Sequence, residues 1–234
     1  GISVNKQEIH SDVIIGTADY HHIDQHLLPK EKRNYDEKYW DSKQLSPSCL
    51  LYYVGVKKKV ANLLHHTLFF DTDFDKHLDE IYDSKEWPSN PLFYVCAPSK
   101  TDKSVAPEGY ESLFILIPVA VNLKDEESLH NKYFGLVVNR IEQITGESIK
   151  ENVIYKRSYA HQDFENDYNG YKGNAFGLAN TLKQTAIFKP SMRSKHLKNL
   201  FFAGQLTTPG PGVPPSLISG QVVATRIEKE LAGK

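Results

Sequence analysis

The sequence predicts an α+β / α/β chain in which a mixed β-sheet with covering helices is followed by a C-terminal strand, loop and helix. Three observations predict it. Four runs rich in Tyr, Phe, Val, Ile and Leu, each bounded by turn residues, read as strands. Two stretches repeat apolar residues with helical period. A short apolar run near the end leads through a Pro/Gly loop into a proline-led helix.

Taken in order, Gly1-Ile-Ser-Val-Asn-Lys-Gln-Glu-Ile-His10 reads as a strand and turn already in progress, so the chain reads as a fragment of a longer polypeptide. Val13-Ile14-Ile15 before Gly16 fits a buried strand ending in a turn. Ala18 to Leu45, rich in His, Lys, Asp and Tyr around Pro29, reads as loops and short exposed helices. The four strand runs are Cys49 to Val56, His66 to Phe70, Leu92 to Ala97 and Ser112 to Val121. Between the second and third, Phe74, Leu78, Ile81 and Tyr82 fall at helical spacing, which predicts a helix from Asp73 to Tyr82 capped by Asp71 or Thr72. Leu129, Tyr133, Leu136, Val137, Ile141 and Ile144 mark a longer helix from Glu126 to Ile144, with acids in its first turn and Gly146 beyond its end. Its apolar stripe either packs on the sheet, as most such stripes do, or touches a lipid surface. Asn152 to Ser158 reads as a further strand, and His161 to Asn180, rich in Gly, Asn and aromatics, as more loop than element. Asn199 to Gly204 is a short buried strand and Gln205 to Pro214 a loop. Pro215 opens a helix to Leu231 at the N1 position that proline prefers.

Composition excludes several roles. A formal net charge of −1 and the lack of a basic stripe leave no electrostatic footprint for nucleic acid. Cys49 and Cys96 sit in apolar strand runs without ligand spacing and read as reduced core residues. His21, His22 and His26 share a helical face by spacing, but no carboxylate or cysteine accompanies them at ligand spacing, and no metal is expected. No apolar run approaches the roughly 20 residues of a membrane span, and no signal-like segment opens the chain, which points to a cytoplasmic protein with at most peripheral membrane contact. Lys57-Lys58-Lys59 reads either as a solvated hairpin turn or as a contact for anionic lipid head groups.

The segment that carries chemistry is Asn199-Leu-Phe-Phe-Ala-Gly-Gln-Leu-Thr-Thr-Pro-Gly-Pro-Gly-Val-Pro-Pro-Ser-Leu-Ile-Ser-Gly220. Glycines gather where a buried strand hands over to a helix, the place at which α/β folds hold ligands. Gly210 and Gly212 lack Cβ atoms and let a planar ring or phosphate lie against the chain, while the helix points free N–H groups and its positive dipole end towards it. The spacing is not the dinucleotide fingerprint, because proline replaces the third glycine and the strand ends too early. On spacing alone a structural loop and a cofactor loop are equally compatible with these residues.

This strand, with the Thr-x-Pro-Gly-x-Gly-Val-Pro that follows it, resembles the C-terminal flavin-contacting motif of bacterial-type phytoene and carotenoid desaturases, matching at Gly204, Thr207, Pro209, Gly210, Gly212, Val213 and Pro214. Leu92-Phe-Tyr-Val-Cys-Ala-Pro-Ser-Lys-Thr-Asp-Lys-Ser-Val-Ala-Pro-Glu-Gly109 is similar to the family's Ala-Pro-x-x-Thr-Asp segment, and His65-His66-Thr67 to its paired-histidine strand. Gln162-Asp163-Phe164 and the Tyr171 to Phe176 stretch extend the likeness, which runs from about Asp12 to Leu231. Thr208, Leu206 and Pro215 depart from it where many members carry histidine, glycine and glycine.

The resemblance implies an FAD-dependent enzyme of the amine-oxidase-like flavoprotein superfamily that introduces double bonds into a long polyene. Residues 1–19 would end an insertion strand of a Rossmann-like FAD domain, 20–158 form the carotenoid-binding domain, and 159–234 return to the FAD domain. Gly204 and Gln205 would lie beside the flavin, and Gly212, Val213 and Pro214 would pass the isoalloxazine edge, with Thr207, Pro209 and Gly210 completing the loop. Further implied partners are the N-terminal part of the same polypeptide and a polyene tunnel lined from Cys49 to Val56, Leu92 to Ala97 and Phe114 to Val121. A related carotenoid isomerase, ketolase or oxygenase, or a flavin-free lipid-binding protein on the same scaffold, remains an open alternative.

Overall fold

The computed structural model describes residues 1–233. In chain order the elements are β1 (Ile2–Val4), β2 (Gln7–Ile9), β3 (Ile14–Gly16), α1 (Tyr20–His22), α2 (Glu37–Asp41), β4 (Ser48–Val56), β5 (His66–Phe69) and α3 (Phe74–Tyr82). Then come β6 (Phe93–Cys96), β7 (Glu111–Val119), α4 (Glu127–Thr145), β8 (Val153–Tyr159), α5 (His161–Tyr168), β9 (Leu200–Phe202) and α6 (Val213–Ala232). Two compact units result, one of Gly1–Ser46 with Glu165 onward and one of Pro47–Phe164. Residues 20–46 thus belong to the same unit as the two chain ends.

The second unit is a five-stranded sheet in the order β5-β6-β7-β4-β8, antiparallel at every pairing. Its centre is the nine-residue ladder of β4 on β7, from Ser48 opposite Val119 to Val56 opposite Glu111. Because side chains alternate across a strand, one face takes Tyr52, Val54, Val95, Leu113, Ile115 and Ile117, all buried. Tyr133, Val137, Val138 and Ile141 of α4 join them in one core, and Tyr52 donates its hydroxyl to the His130 carbonyl at 2.7 Å. The stripe read from the sequence thus lies on the sheet except at its end, where Ile144 is exposed. Asp73, not Asp71 or Thr72, caps α3, accepting the Lys76 N–H at 3.1 Å. Lys58 and Lys59 of the lysine run pair with Glu147 at 2.7 Å and Glu111 at 3.5 Å.

The first unit holds the parallel pair β3 with β9, Ile14 opposite Leu200 to Gly16 opposite Phe202, and the hairpin β1 with β2. β9 is buried throughout, whereas β3 is not the buried strand expected: Ile15 is 44% exposed, because β9 is its only strand partner among the described residues. The helices between 18 and 45 are short, and Glu37, Lys38 and Asp41 of α2 are exposed as expected, but Tyr20, His21 and Trp40 are buried. Tyr20 stacks on Phe202 at 3.9 Å, Trp40 is fully enclosed, and the buried Asp24 carboxylate accepts the Asn34 and Tyr35 N–H groups at 2.7 and 3.2 Å. α5 replaces part of the loop expected from His161 to Asn180; Asp163 starts it by accepting the Ala160 N–H at 2.8 Å. Among the described residues no helix is long and apolar enough to cross a membrane.

Candidate functional site

The chain leaves β9 at Ala203 and Gly204. Gly204 takes φ 121° and Gly212 φ 103°, a region that side chains with a Cβ rarely enter. The turn between them is held from within. Thr207 Oγ1 donates to the Gly204 carbonyl at 2.8 Å, and Ser219 Oγ, in the second turn of α6, accepts the Gly204 N–H at 2.8 Å. Both residues are buried, so they brace the backbone instead of facing a ligand. Gln205 donates from Nε2 to Asn174 Oδ1 at 3.2 Å, and the Asn174 carboxamide oxygen also accepts the Gly177 N–H.

Gly204, Gln205, Gly212 and Val213 open on a cleft of about 500 Å³. The residues that complete it escaped the sequence reading as site residues: Thr17, Ala175, Phe176, Ala203, Ser216, Leu217 and Gly220. A Cβ at Gly220 would meet nothing within 4 Å, and one at Gly204 only the Thr17 carbonyl oxygen at 3.9 Å. Part of the cleft floor is therefore bare backbone, on which a flat ring settles without displacing a side chain. Thr17 arrives through the parallel pairing of β3 with β9, which no local signal announces. Ser216, Leu217 and Gly220 share one helix side, a signal that was legible in their spacing.

The other expected residues lie outside the cleft. Thr207 is the brace described above. Pro209 and Pro214 are exposed, and Gly210 is buried where a Cβ would stand 3.2 Å from Lys189 Cε and Asn180 Oδ1. The helix begins at Val213, so Pro215 is its third residue and not its first. Pro214 and Pro215 have no N–H, and Ser216 N–H already bonds the Gly212 carbonyl at 3.0 Å. The expected set of free amides at the helix start reduces to Val213, while the positive end of the helix dipole remains.

A second candidate surface is the sheet face that α4 leaves uncovered. Tyr53 and Leu68 are exposed on it, with Tyr94, Cys96, Phe114 and Leu116 half-buried. The Tyr53 and Phe114 rings stand 5.5 Å apart and those of Tyr94 and Phe114 6.4 Å. Of the three expected lining strands, Tyr53, Tyr94, Cys96, Phe114 and Leu116 face this side, while Tyr52, Val54, Phe93, Val95, Leu113, Ile115 and Ile117, which alternate with them, belong to the core. Cys96 is accordingly not the core residue expected, whereas Cys49 is, and burial pushes its thiol up to about 12.

No family model matches the chain. It is 43% identical over 230 residues to a carotenoid 3,4-desaturase of Haloarcula japonica, across 98% of this chain and 46% of that protein. The chain belongs to the carotenoid desaturase family. A second carotenoid desaturase relative, the 4,4'-diapophytoene desaturase (4,4'-diaponeurosporene-forming) of Staphylococcus haemolyticus, is 32% identical across 99% of this chain and 48% of that protein. The chain spans about half the length of these curated relatives. An oxidoreductase of Methanosarcina mazei superposes with a TM-score of 0.56 over 97% of this chain and 45% of its own, at 14% identity, a likeness of fold. The mixed fold of this carotenoid desaturase family member is the class its sequence predicts.

Proposed function

We propose that this chain is the polyene-binding and flavin-covering portion of an FAD-dependent carotenoid desaturase, with the dinucleotide-binding segment supplied by residues outside it. The observation that carries the reading is the cleft floored by bare backbone at Gly204 and Gly220, in a chain homologous over nearly its whole length to carotenoid desaturases. FAD, when bound, supplies the acceptor for a hydride leaving the saturated polyene carbons as a proton departs from the neighbouring carbon.

The residues of the chain then divide the work. With FAD bound, Gly204 and Gln205 would lie beside its ring system and Gly212 and Val213 would pass near it, while Thr207, Pro209, Gly210 and Pro214 fix the course of the loop. Ser219 holds the Gly204 amide in place, and the positive end of α6 favours electron density nearby. Phe176 and Leu217 exclude water from the cleft. A carotenoid offers no polar handle and is held by burial of apolar surface, at about 25 cal/mol per Å². Tyr53, Leu68, Tyr94, Phe114 and Leu116 supply such a surface, and the protein takes its substrate by peripheral contact with a membrane. Two parallel strands, β3 and β9, are part of a larger parallel sheet on this reading.

The test is a pigment assay with phytoene and FAD in liposomes, using the polypeptide that carries this chain together with a dinucleotide-binding segment. Red-shifted polyene products are expected from it and none from this chain alone. Bound flavin with an isomerised or oxygenated product would replace desaturation by the related chemistry, and lipid binding without flavin would overturn the enzyme reading.

A further inference from the structure

At the edge of the five-stranded sheet, beside the open apolar face, lie three side chains whose nitrogen and sulfur atoms neither the flavin nor the polyene reading uses. His66 and Cys96 are direct cross-strand partners in β5 and β6 and project from the same face. His65 precedes β5, where strand alternation has not begun, and its ring centroid lies 4.3 Å from that of His66. One ring nitrogen from each histidine and the Cys96 sulfur all lie within 4.8 Å of one another.

The two rings are already oriented. His65 Nδ1 is hydrogen-bonded to Thr101 Oγ1 at 2.7 Å, and His66 Nδ1 to the Tyr94 hydroxyl. A hydrogen-bond partner on one imidazole nitrogen fixes the ring and leaves the other, Nε2, as the donor, the arrangement that supports metal-bound histidines. Two imidazoles and a thiolate form a donor set for zinc-like ions and not for calcium or magnesium, which take oxygen. Zinc bonds of about 2.0–2.3 Å imply ligand separations of roughly 3.5 Å in a tetrahedron, so closure draws the three side chains together. The exposure of His66 and partial exposure of His65 and Cys96 allow that movement.

We propose that His65, His66 and Cys96 bind one divalent d-block ion of zinc type, with a fourth position left to solvent. Such an ion ties the edge strand β5 to β6. The sequence hides this site because Cys96 stands far from the histidine pair along the chain and only the β5–β6 register joins them.

The test titrates untagged, metal-free chain with Co(II) and then Zn(II). Expected are one equivalent of cobalt, a thiolate-to-cobalt charge-transfer band with the visible bands of four-coordinate cobalt, and displacement by zinc. Cys96→Ser removes the charge-transfer band, and His66→Ala or Thr101→Val weakens binding by about tenfold or more, with the far-ultraviolet circular dichroism unchanged. A second measurement needs no variant. Cys49 is buried, so iodoacetamide reports on Cys96, and Zn(II) slows its alkylation. No saturable cobalt binding, bands that survive Cys96→Ser, or an alkylation rate indifferent to zinc would each overturn the site.

Discussion

Two helices of nearly equal length, α4 with 19 residues and α6 with 20, meet opposite surroundings. In α4, Tyr133, Val137, Val138, Ile141 and Thr145 are buried, and the apolar stripe is matched by the sheet it covers. In α6, Ser219, Val223 and Ile227 are buried while Val213, Leu217, Ile218 and Val222 stand exposed. Helical period is written in both sequences, yet one unit completes the core around its helix and the other leaves a second apolar side of its helix uncovered. Burial, not propensity, separates an element finished by its own unit from one that is shared. In α6 the uncovered side includes Leu217 of the cleft, so the unfinished surface and the proposed flavin seat coincide.

The largest expected effect lies in the finished unit. Glu111 is 1% exposed and accepts hydrogen bonds from the Ser99 hydroxyl, Lys100 Nζ at 3.0 Å and the Val60 N–H at 3.2 Å. Burial alone would raise its carboxyl; the Ser99 and Lys100 contacts outweigh it and hold the group below the ordinary carboxylate range. Glu111→Ala leaves Lys100 and the Val60 amide without this partner and costs about 3–5 kcal/mol in urea unfolding at neutral pH. Because the folded pKa is depressed, this stabilisation is complete above the unfolded value near 4.5 and is lost as pH falls through the folded one. The gap between wild type and variant therefore closes in acid. A gap that stays constant would mean that the carboxylate charge carries none of the effect.

The contrast between the helices predicts unequal costs for equal truncations. Ile141→Ala in α4 removes fully buried methyl groups and costs about 2–5 kcal/mol, whereas Leu217→Ala in α6 changes stability by less than about 0.5 kcal/mol. Denaturant unfolding of the two variants measures both, and similar costs would break the comparison. Smaller again is Lys189, 5% exposed in the unit of α6, with no hydrogen-bond partner for its ammonium among the described residues and with burial lowering its pKa. Lys189→Met removes an unsatisfied buried group at similar volume and is expected to stabilise by about 1–3 kcal/mol. A destabilised variant would show that Nζ is paired in solution.

How much of this was legible depended on how far the deciding contact lies along the chain. β4, read as Cys49 to Val56 and found as Ser48–Val56, and α4, read as Glu126 to Ile144 and found as Glu127–Thr145, carry their alternation and period in their own residues. The His, Lys, Asp and Tyr content of Ala18 to Leu45 around Pro29 predicts loops and short exposed helices, and what packs on the buried Tyr20 is Phe202, at the far end of the chain. α5 was missed because one Asp163 side chain starts it amid Gly- and Asn-rich neighbours. At the loop after β9 the glycines and Val213 could be read locally. Pro209, Gly210 and Pro214 belong to the same motif but not to the cleft, and that distinction is set by backbone direction.

The smallest effect probes the finished core by pH. His77 is buried at 2% exposure and accepts the Leu92 N–H on Nδ1 at 2.8 Å, with the Pro118 backbone and Glu80 also acting on its ring. Burial lowers its pKa, so the unfolded chain takes up the proton first as the solution is acidified. The contribution is complete above the unfolded value of 6.5 and is lost as pH falls through the folded value, with a slope of at most about 1.4 kcal/mol per pH unit. In His77→Asn the amide oxygen stands in for Nδ1 and does not titrate. Wild type should therefore lose stability relative to this variant between pH 7 and pH 5, whereas His21, lowered by its own burial, contributes equally to both and cancels. Parallel stability curves would place a proton on His77 in the folded protein, with Glu80 and the Pro118 backbone outweighing its burial.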